Sequence, residues 1–232
     1  MKQIIAMGGG GFSMEPDNLA LDRYVRDQTG KAHPRACFLP TAGAESPEYV
    51  IRFYEAFTAL ECRPSHLSLF SLPTADLRAF LLEKEIIYVG GGNTRSMLAL
   101  WREWRLDEIL REAWEAGVVL AGLSAGAICW FEQGVTDSVP GELGPLPCLG
   151  YLEGSCCPHY GSESGRRPAY HRLIAAGALQ PGYGLDDGAA LHFVDGTLHR
   201  VITSRPEARA YLVERVDGAV EERSLERTCL TD

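Results

Sequence analysis

The sequence lacks the features of several protein classes, and each absence argues against one class of partner or cofactor. No apolar run approaches the roughly 18 residues of a membrane span, so no membrane partner is expected. Basic residues are in the minority, since 22 Lys and Arg stand against 31 Asp and Glu for a net charge of −9. That balance argues against nucleic acid as the main partner. Neither a Gly-Lys-Ser/Thr phosphate loop nor a dinucleotide fingerprint is present, so no nucleotide cofactor is expected.

Metal-site patterns are also missing, although the chain has seven cysteines. The one cluster, Cys156-Cys157-Pro158-His159, lacks the two-residue gap of common zinc sites, and no second Cys/His pair matches it. No metal and no other cofactor is therefore predicted. The residues from Met1 to Met7 lead directly into four glycines and do not resemble a secretory signal, so we expect a cytoplasmic protein with reduced thiols.

The length and the apolar pattern predict one α/β domain over residues 1–232. A chain of 232 residues that is 46% hydrophobic can bury a sizeable core without disulfides or metals. Short apolar runs without polar alternation are typical of strands buried on both faces of a parallel sheet. Five such runs are present: Ile4–Met7, Ala36–Leu39, His66–Phe70, Ile86–Val89 and Val118–Ala121.

Helical spacing separates these runs and predicts a mostly parallel sheet flanked by helices. The predicted helices are Pro47–Leu60, Ala75–Glu83 and Thr94–Ala116. The last one carries several tryptophans, which could form a face that pairs two copies into a homodimer. Two Asp-Gly turns near the C-terminus, at Asp195-Gly196 and Asp217-Gly218, predict antiparallel hairpins at the edge of the sheet.

A candidate nucleophile follows the fifth apolar run, in Gly122-Leu123-Ser124-Ala125-Gly126. This G-x-S-x-G pattern between a strand and a helix is typical of a sharp turn that exposes the serine hydroxyl. The small flanking residues avoid a clash there, and the N–H of Ala125 could stabilise an oxyanion. A serine that only caps the following helix is the plainer alternative.

The serine needs a base and an orienting acid. His159 follows Pro158 after an apolar run and is the favoured base, while His192 lies in a strand-like alternation. Three carboxylates between the serine and His159 are candidates for the acid. They are Asp137, favoured because hydroxyl residues flank it, and the alternatives Glu132 and Glu142.

A second glycine loop, Gly90-Gly91-Gly92-Asn93-Thr94, follows the fourth apolar run. It could be a simple turn with Asn93 as the helix cap. It could instead bring a second backbone N–H to the oxyanion, because glycine allows a close approach of the backbone.

Together these motifs resemble the peptidase E family, which includes the aspartyl dipeptidases and, more distantly, the cyanophycinases. The resemblance rests on the two glycine motifs, on Thr136-Asp137 and on Pro158-His159-Tyr160, in that order. It implies a fold similar to class I glutamine amidotransferases, with serine where those enzymes have cysteine. It also implies a Ser124–His159 pair with Asp137 as the acid, and an oxyanion hole from Gly91 or Gly92 with Ala125.

In the dipeptidases of this family, an arginine beyond the histidine reads the carboxylate of an N-terminal Asp. Ser164-Gly165-Arg166-Arg167-Pro168 offers two such arginines here, with Arg167 the better placed. A solvated basic loop is the alternative. The resemblance therefore implies a serine exopeptidase for small peptides, with dipeptides that begin with Asp as one substrate class.

Two other functions fit parts of the pattern. An α/β-hydrolase esterase shares the serine turn, but its histidine normally lies far downstream, which would make His192 the base. A binding protein could keep the same fold without turnover.

Overall fold

The structure is a computed structural model that describes residues 1–141 and 143–230. Its helices are α1 (Gly11–Met14), α2 (Ala20–Asp27), α3 (Pro47–Ala59), α4 (Leu77–Leu82), α5 (Thr94–Glu103), α6 (Leu106–Glu115), α7 (Ala125–Ile128) and α8 (Arg166–Ala175). Its strands are β1 (Gln3–Met7), β2 (Arg35–Leu39), β3 (Arg63–His66), β4 (Ile86–Val89), β5 (Val119–Leu123), β6 (Phe131–Thr136), β7 (Gly144–Pro147), β8 (Leu152–Cys157), β9 (Gly182–Leu185), β10 (Ala189–Val194), β11 (Thr197–Thr203), β12 (Ala210–Val216), β13 (Ala219–Ser224) and β14 (Thr228–Cys229).

The larger sheet has eight strands in the order β14-β11-β10-β1-β5-β4-β2-β3. The five strands from β1 to β3 in that order run parallel, so their carboxyl ends meet at one edge. β10 pairs antiparallel with β1 and brings the turn that precedes it to the same edge. Ligands of open parallel sheets collect at this edge.

A second, six-stranded sheet has the order β13-β12-β9-β8-β6-β7. The sequence predicts one sheet with both hairpins at its antiparallel edge; β10 and β11 do lie at that edge, but the placement of both hairpins in one sheet was wrong. The two Asp-Gly turns join β10 to β11 and β12 to β13, but the two pairs belong to different sheets. Tertiary pairing decides this, because the hairpin pattern leaves the partner of each outer strand open.

The long helix predicted over residues 94–116 is two helices, α5 and α6. Arg105 adopts a left-handed backbone with φ of 52° between them, which ends the helical path. The tryptophans expected on its face are mostly inside the protein, since Trp101 and Trp114 are buried and Trp104 is 39% exposed. A homodimer remains a prediction.

Apolar side chains fill both sides of the larger sheet. One cluster packs α5 and α6 against the strands, and a second packs α2 and α3 on the opposite face, with Phe12, Phe38, Phe53 and Tyr88 in mutual ring contact. Within the described part of the chain, no helix is both long enough and apolar enough to cross a bilayer.

Candidate active site

Ser124 lies at the carboxyl end of β5, where the chain turns sharply into α7. Its backbone angles are φ 53° and ψ −112°, a conformation that costs energy for any residue with a side chain. The flanking glycines make this turn possible. A Cβ on Gly122 would lie 2.5 Å from the carbonyl oxygen of Gly126, and a Cβ on Gly126 would lie 2.2 Å from that of Val89. The G-x-S-x-G pattern is therefore a steric requirement of the fold.

His159 lies just beyond the end of β8 and faces Ser124. Its φ is 54°, so this residue also has a left-handed backbone. Its N–H donates to the carbonyl oxygen of Gly8 over 3.3 Å, which places it beside the end of β1. Its Nε2 is 2.9 Å from Oγ of Ser124, within hydrogen-bonding distance. The structure thus brings together the predicted nucleophile and the predicted base.

The carboxylate beside His159 is that of Asp187, in the turn between β9 and β10. Nδ1 of His159 donates to Oδ1 of Asp187 over 2.6 Å. Burial alone would raise the pKa of Asp187, but hydrogen bonds from His159 and Ser162 outweigh it and hold this pKa below its ordinary value. An ionised carboxylate on Nδ1 leaves Nε2 as the acceptor for the serine hydroxyl.

The first glycine loop, residues 8–11 after β1, holds His159 and Asp187 in place. The N–H of Gly188 donates to the carbonyl oxygen of Gly9 over 3.0 Å, which fixes the turn that carries Asp187. A Cβ on Gly9 would lie 2.1 Å from Oδ1 of Asp187 and 3.0 Å from Cε1 of His159. Only glycine leaves room for both side chains.

The prediction of Asp137 as the acid is corrected by this geometry. Asp137 follows β6 in the second sheet, its side chain is 66% exposed, and its carboxylate lies 3.4 Å from Nη2 of Arg166. Glu132 is also turned away from the histidine, because its Oε2 accepts the N–H of Gly154 over 2.9 Å. Glu142, the remaining alternative, lies outside the described residues.

The sequence around Asp187 does carry a signal, but this signal predicts a turn and not a catalytic acid. Asp186-Asp187-Gly188 follows the apolar strand β9 and precedes β10, which is typical of a turn at a sheet edge. The predicted acids all precede His159 in the chain, whereas Asp187 follows it by 28 residues. The antiparallel pairing of β10 with β1 is what returns Asp187 to the site.

The three predicted oxyanion donors have different surroundings. A Cβ on Gly91 would lie 3.3 Å from Cβ of Ser124, so this loop passes beside the serine. The N–H of Gly91, however, donates to the hydroxyl of buried Tyr49 over 3.0 Å. Ala125 is the first residue of α7, and its N–H belongs to the donors that a helix cannot pair internally. Gly92 has φ of 134°, in the region that favours glycine.

Both predicted substrate-binding arginines are paired with carboxylates of the chain itself. Arg166 is buried, its Nε donates to Glu163 over 2.7 Å, and its Nη1 donates to the carbonyl oxygen of Val135. Arg167 binds Glu222 of β13 through two nitrogens, with Nε 2.9 Å from Oε2.

Glu222 gathers further donors around Arg167. It accepts hydrogen bonds from Tyr160 and from Nε2 of His171, the latter over 3.0 Å. Burial would raise the pKa of Glu222, yet hydrogen bonds from Arg167, Tyr160 and His171 together lower it. The charge of Arg167, whose side chain is 46% exposed, is thus balanced by Glu222.

His192 lies in β10 and is removed from this site. It is 2% exposed, its Nδ1 lies 2.8 Å from the hydroxyl of Tyr24, and its Nε2 donates to the side-chain oxygen of Gln3 over 3.0 Å. Burial lowers the pKa of His192 to about 4. His192 is therefore a buried, hydrogen-bonded residue of the sheet. The esterase arrangement, in which His192 would be the base, is wrong.

The Cys156-Cys157 pair is also structural. Both thiols are buried, and burial raises the pKa of Cys157 to about 12. Across residues 1–141 and 143–230, no group of three His, Cys, Asp or Glu side chains is arranged to hold a metal ion.

This chain is similar in sequence to known peptidases. Residues 4–201 match the model of the family described as Peptidase family S51. The chain is 60% identical over 222 residues to the peptidase YgaJ of Bacillus subtilis (strain 168), itself described as uncharacterized, with 96% of each chain covered. It is 28% identical over 222 residues to peptidase E of Pasteurella multocida (strain Pm70), covering 87% of this chain and 89% of that protein.

A solved structure shows the same fold. The crystal structure of a peptidase from an acI-B1 Actinobacterium matches with a TM-score of 0.73 and 18% sequence identity, covering 98% of this chain and 95% of that one. At this identity the likeness establishes the shared α/β architecture of sheets and helices.

Proposed function

The chain belongs to peptidase family S51 and is a peptidase, and we propose that it is a serine exopeptidase that hydrolyses small peptides. Membership confirms the resemblance to peptidase E that the sequence motifs indicate. The observation that carries the serine mechanism is the continuous hydrogen-bonded series from Asp187 through His159 to Ser124. The small-peptide substrate rests on the resemblance and on the relatives named peptidase E.

In the proposed mechanism, Oγ of Ser124 attacks the carbonyl carbon of the scissile bond. His159 accepts the hydroxyl proton on Nε2 and then donates it to the leaving amine. Asp187 holds the imidazole in the required tautomer and stabilises the imidazolium that forms. Water then attacks the acyl-enzyme in the same way, with His159 again as the base.

The N–H groups of Ala125 and Gly92 are the proposed oxyanion donors. We leave Gly91 out of this pair, because its N–H already donates to Tyr49. A donor that is aimed at the developing negative charge can contribute about 2.7–4 kcal/mol to transition-state stabilisation. Gly91 then serves by its small size, since it lies against Ser124.

The placement of the nucleophile also supports the class I glutamine amidotransferase-like fold that the resemblance implies. Ser124 follows β5, a strand with parallel neighbours on both sides, and a short helix begins directly after it. A strand–nucleophile–helix turn at the carboxyl edge of a sheet is the arrangement that such a fold provides.

A preference for N-terminal Asp is not part of the proposal. Reading a substrate carboxylate needs a cation without a carboxylate partner, and both Arg166 and Arg167 already have one. A substrate carboxylate would have to compete with a carboxylate that the fold holds in place.

The test is hydrolysis of a dipeptide panel by wild-type protein and by Ser124→Ala, with EDTA present because the mechanism uses no metal ion. We expect wild type to release free amino acids and Ser124→Ala to lose about 10⁴–10⁶-fold in kcat. Labelling with a fluorophosphonate probe gives a second readout, since only an activated serine reacts. Undiminished hydrolysis by Ser124→Ala would refute the serine mechanism. A wild-type protein that neither hydrolyses peptides nor takes the label would favour the non-catalytic alternative.

A further inference from the structure

A charged side chain lies beside the turn of Asp187, at the end of β11. β11 runs antiparallel to β10 and pairs Thr203 with Ala189, so the residues after Thr203 lie beside those that precede Ala189. The N–H of Ser204 donates to the carbonyl oxygen of Gly188 over 2.8 Å. Strand pairing therefore brings the next residue, Arg205, to the turn that carries Asp187.

The side chain of Arg205 packs directly on this turn. A Cβ on Gly188 would lie 2.8 Å from Nε of Arg205 and 3.3 Å from its Nη2, so the guanidinium lies against the glycine backbone. Gly188 also has φ of 79°, in the region that favours glycine. Glycine at this position therefore permits both the turn and the close approach of the guanidinium.

Glu15, the residue that ends α1, holds Arg205 in this place. Its Oε1 lies 2.8 Å from Nε of Arg205, and its Oε2 accepts a hydrogen bond from the hydroxyl of Ser204 over 3.0 Å. The same carboxylate lies against the first glycine loop, since a Cβ on Gly10 would be 3.3 Å from Oε2. The ion pair thus joins the end of β11 to the loop that packs on His159 and Asp187.

We propose that Arg205 is a positioning residue for the Asp187–His159 pair, with Glu15 as its anchor. Its guanidinium holds the turn of Asp187 in place and supplies a positive charge beside the carboxylate that orients His159. The inference rests on the proposed serine mechanism and adds a residue that no sequence motif indicates.

The groups that face Asp187 come from three segments of the chain. His159 and Ser162, which follow β8, donate hydrogen bonds to it, Arg205 adds a positive charge, and the adjacent Asp186 adds a negative one. Burial raises the pKa of Asp187, but these hydrogen bonds and the charges of His159 and Arg205 lower it below its ordinary value. Arg205 therefore favours the ionised carboxylate that the proposed mechanism requires.

The charges of Arg205 and Glu15 should act on the catalytic proton with opposite signs. The Asp187–His159 pair takes up a proton as the pH falls, and the imidazolium can no longer accept the proton of the serine hydroxyl. A nearby positive charge opposes this uptake and a negative charge favours it. Removing the charge of Arg205 should thus raise the pH of proton uptake, and removing the charge of Glu15 should lower it.

The experiment measures this pH by NMR titration of the histidine rings in wild type, Arg205→Gln and Glu15→Gln. The signal of His159 is identified by its loss in His159→Gln. We expect the midpoint to rise by at least about 0.3 pH unit in Arg205→Gln and to fall by a similar amount in Glu15→Gln. Midpoints that stay in place, or that move in the same direction in both variants, would overturn the proposal.

Arg215→Gln is the matched control for the loss of one positive charge. Arg215 is an exposed residue of β12 beside the Asp217-Gly218 turn, whereas Ala210, at the opposite end of β12, pairs with Leu185 next to the turn of Asp187. Because solvent and salt screen distant charges, the midpoint should move by less than about 0.1 unit. A shift in Arg215→Gln as large as that in Arg205→Gln would also overturn the proposal.

Arg205→Lys separates charge from packing. Lysine keeps the positive charge but lacks the planar guanidinium that lies on Gly188. We expect the midpoint to remain within about 0.2 unit of wild type, with thermal unfolding to verify that each variant is folded. A shift as large as that in Arg205→Gln would mean that Arg205 acts through packing alone, which would overturn its electrostatic role.

Steady-state hydrolysis of the best dipeptide gives a second readout. In Arg205→Gln we expect kcat to fall about tenfold and KM to change less than about threefold, because Arg205 acts on the Asp187–His159 pair. If wild type hydrolyses no peptide while the NMR midpoints shift as expected, the proposed function fails and the role of Arg205 stands. Unshifted midpoints overturn the role of Arg205, whatever the activity.

Discussion

Two carboxylates of the C-terminal part neutralise side chains of the segment from His159 to Arg167, with different consequences. Asp187 accepts from Nδ1 of His159 and leaves Nε2 directed at Ser124. Glu222 engages Arg167 through Nε and Nη2 and takes up Tyr160 and His171 as well. In the proposed mechanism the first pair activates the side chain of His159, whereas the second pair holds the side chain of Arg167 in place. The difference lies in what remains available after pairing: a basic nitrogen beside a hydroxyl, or a cation whose charge is already balanced.

The largest effect is expected when the two candidate acids, Asp187 and Asp137, are replaced separately. We expect Asp187→Asn to lower kcat about 10⁴-fold, because the imidazole loses the partner that fixes its tautomer. Asp137→Asn is the matched control and should change kcat less than about tenfold, since its largely exposed carboxylate loses only a 3.4 Å ion pair with Arg166, which keeps Glu163 as a partner. The measurement is steady-state hydrolysis of the best dipeptide, with thermal unfolding to verify folding. A larger loss in Asp137→Asn than in Asp187→Asn would restore Asp137 as the acid.

A third carboxyl group, that of Asp22, lies beneath the first glycine loop. Asp22 is fully buried, its Oδ2 accepts the N–H of Phe12 over 2.7 Å, and burial raises its pKa to about 7. The folded protein therefore binds a proton that the unfolded chain releases above its ordinary pKa of 3.8. The resulting stability is complete below about pH 4 and is lost as the pH rises through 7, a change on the order of 4 kcal/mol.

Asp22→Asn should remove that pH dependence, because the amide carries no charge at any pH in this range. The free energy of unfolding of wild type, relative to Asp22→Asn, should fall by about 4 kcal/mol between pH 4 and pH 8. The measurement is urea unfolding at several pH values. The exposed Asp17→Asn serves as the control and should follow wild type. A parallel pH dependence in wild type and Asp22→Asn would show that Asp22 is ionised throughout.

The smallest expected effect concerns the second pair. Glu222→Gln keeps the shape of the side chain and removes its charge, so we expect a loss of about 1–3 kcal/mol of stability and little change in kcat/KM. Thermal unfolding and hydrolysis of Ala-Ala are the measurements, with the adjacent exposed Glu221→Gln as the control. A gain in kcat/KM for Asp-Ala in Glu222→Gln alone would contradict a purely stabilising role, because it would mean that the released Arg167 reads the substrate.

Local sequence patterns were sufficient to predict the candidate nucleophile and the candidate base. The glycines around Ser124 predicted a strained turn, and the structure gives the reason, since a Cβ at either position would collide with a backbone carbonyl. Pro158-His159 after an apolar run indicated a histidine at a strand end, and β8 ends at Cys157. Each of these signals depends on neighbouring residues, whose conformation the sequence constrains directly.

Contacts between distant segments were not predictable in the same way. The number of sheets, the break at Arg105 and the partners of Arg166 and Arg167 all depend on which elements pack together. The first glycine loop shows the limit most clearly. The four glycines after the first apolar run carried no predicted role, and only the pairing of β1 with β10 makes Gly9 the point where His159 and Asp187 meet.

The sequence by itself determined the family and the α/β class and predicted the Ser124–His159 pair, because these depend on short motifs with a strict steric or chemical requirement. The tertiary structure decided which carboxylate faces His159, which N–H groups remain for an oxyanion and whether the arginines are available. Asp187 lies 28 residues beyond His159 in the chain, yet its carboxylate is 2.6 Å from the imidazole. A β-strand that returns antiparallel to the first strand closes that distance, and strand pairing is a property of the whole fold.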